Sequence, residues 1–189
     1  FADAIDALTG AEDLDKAVEE YTVKLMREHE RIIFNGNGYS AEWPVEAEKR
    51  GLPNCKSIVD AIPSLVADST VKMYERFNIM SKAELEARKE IMFEQYAGVR
   101  NIEALTMIDM ASKMFIPSVV YYTKEIADTA IAVKEAGADA STQIELLNAV
   151  TAKLNEAKAG LEDLKKATAK AQSIDDNQEK AEIYKSEVM

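Results

Sequence analysis

The most restrictive feature of this sequence is a helical pattern that runs from Ser81 to about residue 135 with only Gly98 and Pro117 in its path. Ser81 and Glu84 form a capping box, in which the hydroxyl and the carboxylate each satisfy a free backbone N–H at a helix start. A helix of about 50 residues would be a rod roughly 75–80 Å long. Because Pro117 has no N–H and clashes with the carbonyl four residues earlier, the sequence predicts a kink between Lys113 and Pro117.

Apolar residues occupy most sides of this predicted helix between Ile102 and Tyr122. A helix that is apolar all round is usually buried, because only one stripe of a surface helix faces a core. We therefore expect this segment to be the most buried part of the fold. Its methionines recur at helical spacing, which is typical of core or interface packing. The apolar residues are Leu105, Met107, Ile108, Met110, Met114, Phe115, Ile116, Val119 and Val120.

A second long helix is predicted after a turn at residues 137–141, where Thr142 and Glu145 offer another capping box. Its apolar positions alternate in steps of three and four, which is the pattern of a coiled-coil seam. We expect it to reach about residue 171, to pack antiparallel on the first long helix as a hairpin arm, and to precede a final helix opening near Gln178. The seam residues are Leu147, Val150, Leu154, Ala157, Leu161, Leu164, Thr168 and Ala171.

The N-terminal part of the chain predicts shorter helices. A helix over residues 13–33 carries an apolar stripe and ends before two Asn-Gly pairs at residues 35–38, which favour a tight reversal. The strand candidate Arg31–Phe34 lies at the end of this helix. The stripe residues are Leu14, Val18, Tyr21, Leu25 and Ile32.

Two further helix starts follow the Asn-Gly pairs. Ser40 can cap a short helix that Gly51 ends, and Asp60 can cap a third helix that reaches Phe77. These patterns together predict an all-α fold: an elongated helical bundle with a long kinked helix and an antiparallel coiled-coil-like hairpin.

The composition leaves little material for chemistry. One Cys excludes a disulfide framework and a thiolate zinc site, and one His excludes metal centres that need several imidazoles. A net charge of −11 argues against a nucleic-acid partner, since phosphate binding needs a cationic face. No apolar run long enough for a membrane span and no signal peptide is present, so we expect a cytoplasmic protein without a membrane partner. Over half of the net charge lies in residues 1–20, which we interpret as a solvated helix face.

Individual candidates for a site all have simpler interpretations. A ferritin-like di-iron site would need Glu three residues before His29, where Met26 stands, so His29 is interpreted as a surface or interface histidine. Cys55 would need a basic partner to act as a nucleophile; the single His lies on another predicted helix, so a Cys–His pair is possible but has no support in the sequence. Residues 35–38 lack the Gly-Lys-Ser/Thr of a phosphate-binding loop and are interpreted as a structural turn. No catalytic, cofactor-binding or metal-binding residue is assigned.

Three stretches carry a resemblance to a known family. REHERIIFNGNGYSAEWPVEAEKRGLPN at 27–54, the helix start Asp60–Pro63, and NIEALTMIDMASKMFIPSV at 101–119 resemble the C-terminal region of type III glutamine synthetases. The likeness runs from about Val23 to Tyr122. From Ala138 onward only the general character of the segment, an acidic helical hairpin, is similar to that of the family.

The resemblance implies a parent enzyme that makes glutamine from glutamate, ammonia and ATP through a γ-glutamyl phosphate held by Mg or Mn. In that family the metal, phosphate and ATP ligands belong to a catalytic barrel, which would precede Phe1. No catalytic residue is therefore carried over, and ATP and the metals are implied for the parent only. Family members are ring-based homo-oligomers, so the resemblance implies a non-catalytic role in subunit assembly.

The predicted organisation has three parts: residues 1–12 as the end of a catalytic-domain helix and a linker, 13–137 as a helical core, and 138–189 as the hairpin arm and final helix. Both ends lie inside helical patterns, so we expect a fragment of a longer protein. Two other functions remain open: a free-standing coiled-coil interaction module that uses the seam from Leu147 to Leu164, and a small enzyme dependent on carboxylates. Whether residues 35–39 approach a neighbouring active site is also open.

Overall fold

The computed structural model describes residues 1–188, and within them every regular element is a helix or a helical turn. The predicted all-α fold is confirmed, and the candidate strand at Arg31–Phe34 is wrong because Glu30–Ile32 forms a 3₁₀ turn. The chain divides into two compact units, residues 1–56 and the part from Ser57 onward. The three-part division stays a prediction, and its last residue, Met189, lies outside the described residues.

The first unit contains α1 (Ala2–Leu8), α2 (Leu14–Glu28) and α3 (Glu42–Lys49). The Asp13 carboxylate caps α2 by accepting the backbone N–H of Lys16 at 3.1 Å. The helix ends at Glu28, earlier than predicted, and none of its residues is buried.

The predicted end of α3 is confirmed, whereas its predicted cap is wrong. Gly51 has a φ of +67° and the Leu52 N–H donates to the Ala47 carbonyl at 2.9 Å, which closes the helix as a Schellman motif. Ser40 does not cap α3, which begins at Glu42. Its hydroxyl instead donates to the Asn37 carbonyl at 2.8 Å, within the turn that precedes α3, and the N-cap position is taken by Ala41.

The second unit begins with a broken helix and not with the single helix predicted from Asp60 to Phe77. The segment comprises α4 (Ile58–Ala61), a 3₁₀ turn at Ile62–Val66 and α5 (Asp68–Arg76). Pro63 has no N–H to continue α4, and Ala67 is extended, so the helix cannot pass through them. Ser57 caps α4 by accepting the Val59 N–H at 3.2 Å, and Asp60 lies inside this helix.

The long helix is confirmed as a continuous helical segment from Lys82 to Glu135. It consists of α6 (Lys82–Met110), a π-helical turn at Ala111–Phe115 and α7 (Ile116–Glu135). The π turn occupies the place where a kink is predicted, immediately before Pro117. A π turn widens the helix by one residue, so it accommodates the missing proline donor and the bulk of its ring.

The predicted helix start at Ser81 is also confirmed. The Ser81 N–H donates to the Glu84 carboxylate at 2.7 Å, and the Glu84 N–H donates back to the Ser81 hydroxyl oxygen at 3.4 Å. The N–H and hydroxyl of Ser81 lower the pKa of the Glu84 carboxyl below its ordinary value.

Replacing Ser81 with alanine should destabilise the protein by about 1 kcal/mol, because the Glu84 N–H at the helix start loses its acceptor. Chemical denaturation of the two proteins measures the difference. Because the pKa of Glu84 is lowered in the folded protein, this stabilisation is fully present above pH 4.5, and the difference should shrink as the pH falls below 4.5 through the lowered pKa. Ser118→Ala, on the exposed surface of α7, is the control and should change stability by less than about 0.5 kcal/mol. Equal effects of the two changes would contradict the capping assignment.

The antiparallel hairpin is confirmed, with a different cap from the one predicted. Gly137, with a φ of +78°, ends α7, and α8 (Ser141–Gln172) returns along it. The Thr142 and Glu145 box is wrong, because the Asp139 carboxylate already accepts the Ser141 N–H at 2.9 Å and its hydroxyl at 2.8 Å. Apart from the exposed Ala157, the predicted seam residues are buried or half-buried.

A short C-terminal helix completes the core. It is α9 (Asn177–Ile183), which Asp176 caps by accepting the Glu179 N–H at 2.8 Å, and a π turn at Tyr184–Val188 follows. One buried cluster joins α4, α6 and α9, and a second joins α6, α8 and the C-terminal π turn. The first contains Val59, Ile62, Phe93 and Ala181, and the second contains Ala97, Ala171 and Tyr184.

Candidate functional site

The most conspicuous surface of the second unit is a set of large apolar side chains around the π turn, which we call the π-turn surface. The prediction that residues 102–122 are the most buried part of the fold is wrong, because of these residues only Ala104 is buried. The exposed members are Ile102, Leu105, Met107, Met110, Met114, Phe115, Val120, Tyr121 and Tyr122.

The exposure has a simple geometric cause. The apolar residues point to every side of the helix, whereas α8 packs along one side of α7. Ile108, Ile116 and Val119 are half-buried, and the residues on the other sides remain in contact with solvent. So many large apolar side chains in contact with water are costly, and large exposed apolar areas commonly mark an association surface.

Few charges interrupt this surface. Glu103, Asp109 and Lys113 are the charged residues between positions 102 and 122. Each has a partner nearby on the same helix: Arg100 donates to Glu103 at 2.5 Å, and Lys113 pairs with Asp109. The methionines Met107, Met110 and Met114 add flexible side chains that can fit an irregular partner.

The first unit holds a second distinctive feature, a loop that Arg50 fastens to α3. Arg50 Nη1 donates to the Ile33 carbonyl at 2.7 Å, and Nε donates to Glu46 at 2.7 Å, which lowers the pKa of the Glu46 carboxyl. Phe34 stacks on Trp43 with ring centroids 4.5 Å apart. A Cβ at Gly36 would lie 2.5 Å from the Phe34 ring, so glycine is needed for this stacking.

The structure supports the interpretation of residues 35–38 as a structural turn. The Asn37 side chain accepts the Tyr39 N–H at 3.0 Å, which is an Asx turn, and Tyr39 stands fully exposed at its tip. His29 ends α2 and is exposed, and Cys55 is exposed between α3 and α4. These positions give no indication of a nucleophilic pair.

Residues 1–188 contain no group of three or more His, Cys, Asp and Glu side chains that could hold a metal ion. The donor set that Mg or Mn would need is therefore not formed by the part of the chain that the structure describes, and we derive no catalytic step through a metal. None of the described helices is both long and apolar enough to cross a membrane.

The predicted seam of α8 is partly covered within the second unit. The half-buried positions Leu147, Val150 and Leu154 belong to the helix that packs along α7. A free-standing module that binds another chain through this seam would first have to open the hairpin.

Sequence reasoning missed a polar junction between α6, α8 and the C-terminal π turn. The side-chain oxygen of Asn101 accepts hydrogen bonds from Gln172 and from the Tyr184 hydroxyl, both at 2.8 Å. Lys185 pairs with Asp60 and donates to Glu182 at 3.1 Å. No local pattern marks Asn101 or Asp60 as part of this junction, because their partners are far away in the sequence.

The fold and the surface define a helical domain with an exposed apolar surface and no metal-binding group among its described residues. The chain belongs to the glutamine synthetase C-terminal domain family, which matches residues 17–134. The resemblance to the C-terminal region of type III glutamine synthetases is thereby confirmed.

Three relatives agree with this assignment. A glutamine synthetase of Butyrivibrio fibrisolvens is 32% identical over 180 residues, which cover 94% of this chain and 26% of the relative. A type-3 glutamine synthetase of Dictyostelium discoideum is 37% identical over 102 residues, covering 54% of this chain and 14% of the relative. A glutamine synthetase of Bacteroides fragilis is 25% identical over 180 residues, covering 90% of the chain and 25% of the relative. The chain thus spans about a quarter or less of the length of these relatives.

Proposed function

We propose that this chain is a non-catalytic domain that holds together the subunits of a homo-oligomeric type III glutamine synthetase. The parent enzyme would join ammonia to glutamate with the use of ATP. It would bind ATP and Mg or Mn in a separate catalytic part and not in the domain described here. The proposal includes a cytoplasmic setting for the parent.

The π-turn surface carries this proposal. Its apolar residues lie on more sides of the helix than α8 can cover, and exposed patches of this type favour association with another protein surface. We infer that a second copy of the parent covers them. Since the charged residues among them are paired within their own helix, two such surfaces can approach without strong repulsion.

The experiment is a charge placed in the centre of this surface. In the parent enzyme, Met114→Glu should shift the assembled oligomer to smaller species, because an unpaired carboxylate in an interface costs several kcal/mol. Light scattering coupled to size-exclusion chromatography measures the shift. Met114 is 55% exposed in the isolated domain, so the substitution should leave the folding of the domain unaffected. Thermal melts of the variant and the unchanged domain would show this.

A matched control exists on the same helical segment. Ile131 on α7 is 56% exposed, and Ile131→Glu introduces the same charge away from the π turn. The control should leave the oligomer intact. An unchanged oligomer in Met114→Glu, or equal dissociation in both variants, would overturn the assignment of the interface to the π-turn surface.

The non-catalytic part of the proposal has a separate test. The 189-residue chain should show no γ-glutamyl transfer with Mg or Mn, because its described residues supply no donor set for either metal. Measurable turnover by the purified chain would contradict this part and leave the assembly role untouched.

A further inference from the structure

A polar groove of about 250 Å³ lies in the second unit, where α6, α8 and α9 meet. Ala97 and Gly98 line it between Glu94 and Asn101 along α6, and polar side chains from all three helices line it as well. It is separate from the π-turn surface, so its role does not depend on the proposed assembly function. Its volume is small for a ligand pocket and corresponds to a small metabolite.

One end of the groove is built from amide and phenol groups. Asn101 is held in place by hydrogen bonds from Gln172 and Tyr184, both 2.8 Å long, and Tyr184 is almost completely buried. Both bonds use the Asn101 side-chain oxygen, so the Asn101 amide N–H groups and the Gln172 oxygen have no hydrogen-bond partner among the described residues. These groups can bind an uncharged polar side chain.

The other end of the groove carries two opposite charges. Glu94 lies on α6 and Lys180 lies on α9, and both line the groove. Neither side chain forms an ion pair within residues 1–188, although the Glu94 carboxylate and the Lys180 ammonium group line the same groove. A molecule that carries both an ammonium and a carboxylate group would complement this arrangement.

The length of the groove along α6 and the open space beside Gly98 are compatible with a molecule of this size. Glu94, Gly98 and Asn101 lie on one face of α6, and the rise from the first to the last is about 10 Å. A small amino acid with a hydrogen bond at each end spans a distance of that order. A Cβ built on Gly98 would meet no atom within 4 Å, so the middle of the groove is open.

We propose that this groove binds a free amino acid with a short, uncharged polar side chain. The ligand's ammonium group binds Glu94, its carboxylate binds Lys180, and its side chain crosses Gly98 to the amide end at Asn101. The site therefore selects a zwitterion and rejects an amino acid whose charged head groups are blocked.

The test fills the groove without disturbing the fold. L-asparagine is titrated into the 189-residue chain by calorimetry, and Gly98→Leu should weaken its binding at least tenfold. Leucine favours a helix more than glycine does, and Gly98 is exposed, so this variant should fold. Gly160→Leu is the matched control, because Gly160 is an exposed helical glycine in α8 with open space around it. It should bind L-asparagine as the unchanged chain does.

The charged end has its own test. Lys180→Gln should weaken binding of L-asparagine at least fivefold, and N-acetyl-L-asparagine should bind the unchanged chain at least tenfold more weakly than L-asparagine. Absence of binding at millimolar concentrations, or equal binding by the two leucine variants, would overturn the proposed site. Equal binding of the acetylated and free forms would overturn the recognition of a zwitterion.

Discussion

Phe93→Ala should lower the free energy of unfolding by about 3–5 kcal/mol, one of the two largest stability losses that we expect in this chain. Phe93 is 0% exposed and lies in the cluster with Val59, Ile62 and Ala181. Removal of the ring deletes its apolar contacts and leaves a cavity between three elements of the second unit. These elements are fixed by other contacts, so they cannot simply collapse into the space.

Chemical denaturation of the 189-residue chain, followed by circular dichroism, measures this loss. The control is Phe115→Ala, since Phe115 is 56% exposed on the π-turn surface and removal of its ring leaves no internal cavity. It should change the stability of the isolated chain by only about 0.5 kcal/mol. A similar loss in both variants would show that the core is not at the junction of α4, α6 and α9.

Leu161→Asp should destabilise the chain by about 3–5 kcal/mol through a different mechanism. Leu161 is 7% exposed and belongs to the seam of α8 in the hairpin. An aspartate at this position would place an unpaired carboxylate in an apolar contact, where it loses hydration without gaining a partner. We expect a lower midpoint of thermal unfolding and a less cooperative transition, because the hairpin would separate before the rest of the unit.

The matched control is Leu146→Asp, on the same helix but outside the seam. Leu146 is 44% exposed, so its carboxylate would remain in contact with water. Thermal melts of the two variants, recorded at neutral pH, compare them directly. If Leu146→Asp were the more destabilising change, the seam assigned from the seven-residue repeat would be wrong.

The family assignment and the surface chemistry lead to related conclusions about this domain. The stretch at 101–119 that resembles type III glutamine synthetases forms most of the π-turn surface, and the stretch at 27–54 forms the loop that Arg50 fastens. Both stretches contain exposed side chains that their own unit does not bury, such as Met114 and Tyr39.

The sequence alone determined the elements of the fold whose causes are local. The capping box at Ser81, the stop at Gly51, the irregularity before Pro117 and the hairpin turn at Gly137 were all predictable. Each depends on interactions between residues no more than about five positions apart, so a short stretch of sequence is enough to predict it. The errors at Ser40 and at Thr142 arose where a nearby competing oxygen or carboxylate made a better hydrogen bond.

Only the tertiary structure decided which faces are covered and which polar groups meet. The apolar pattern of residues 102–122 predicted burial, but a pattern cannot show whether the chain contains enough neighbouring surface to cover every side of a helix. The pairs Gln172–Asn101, Tyr184–Asn101 and Lys185–Asp60 join residues 71, 83 and 125 positions apart. Such contacts depend on how α9 docks against α4 and α6, which no local periodicity encodes. The groove beside Gly98 is a consequence of that docking, and the π-turn surface is exposed because α8 packs along one side of α7 only.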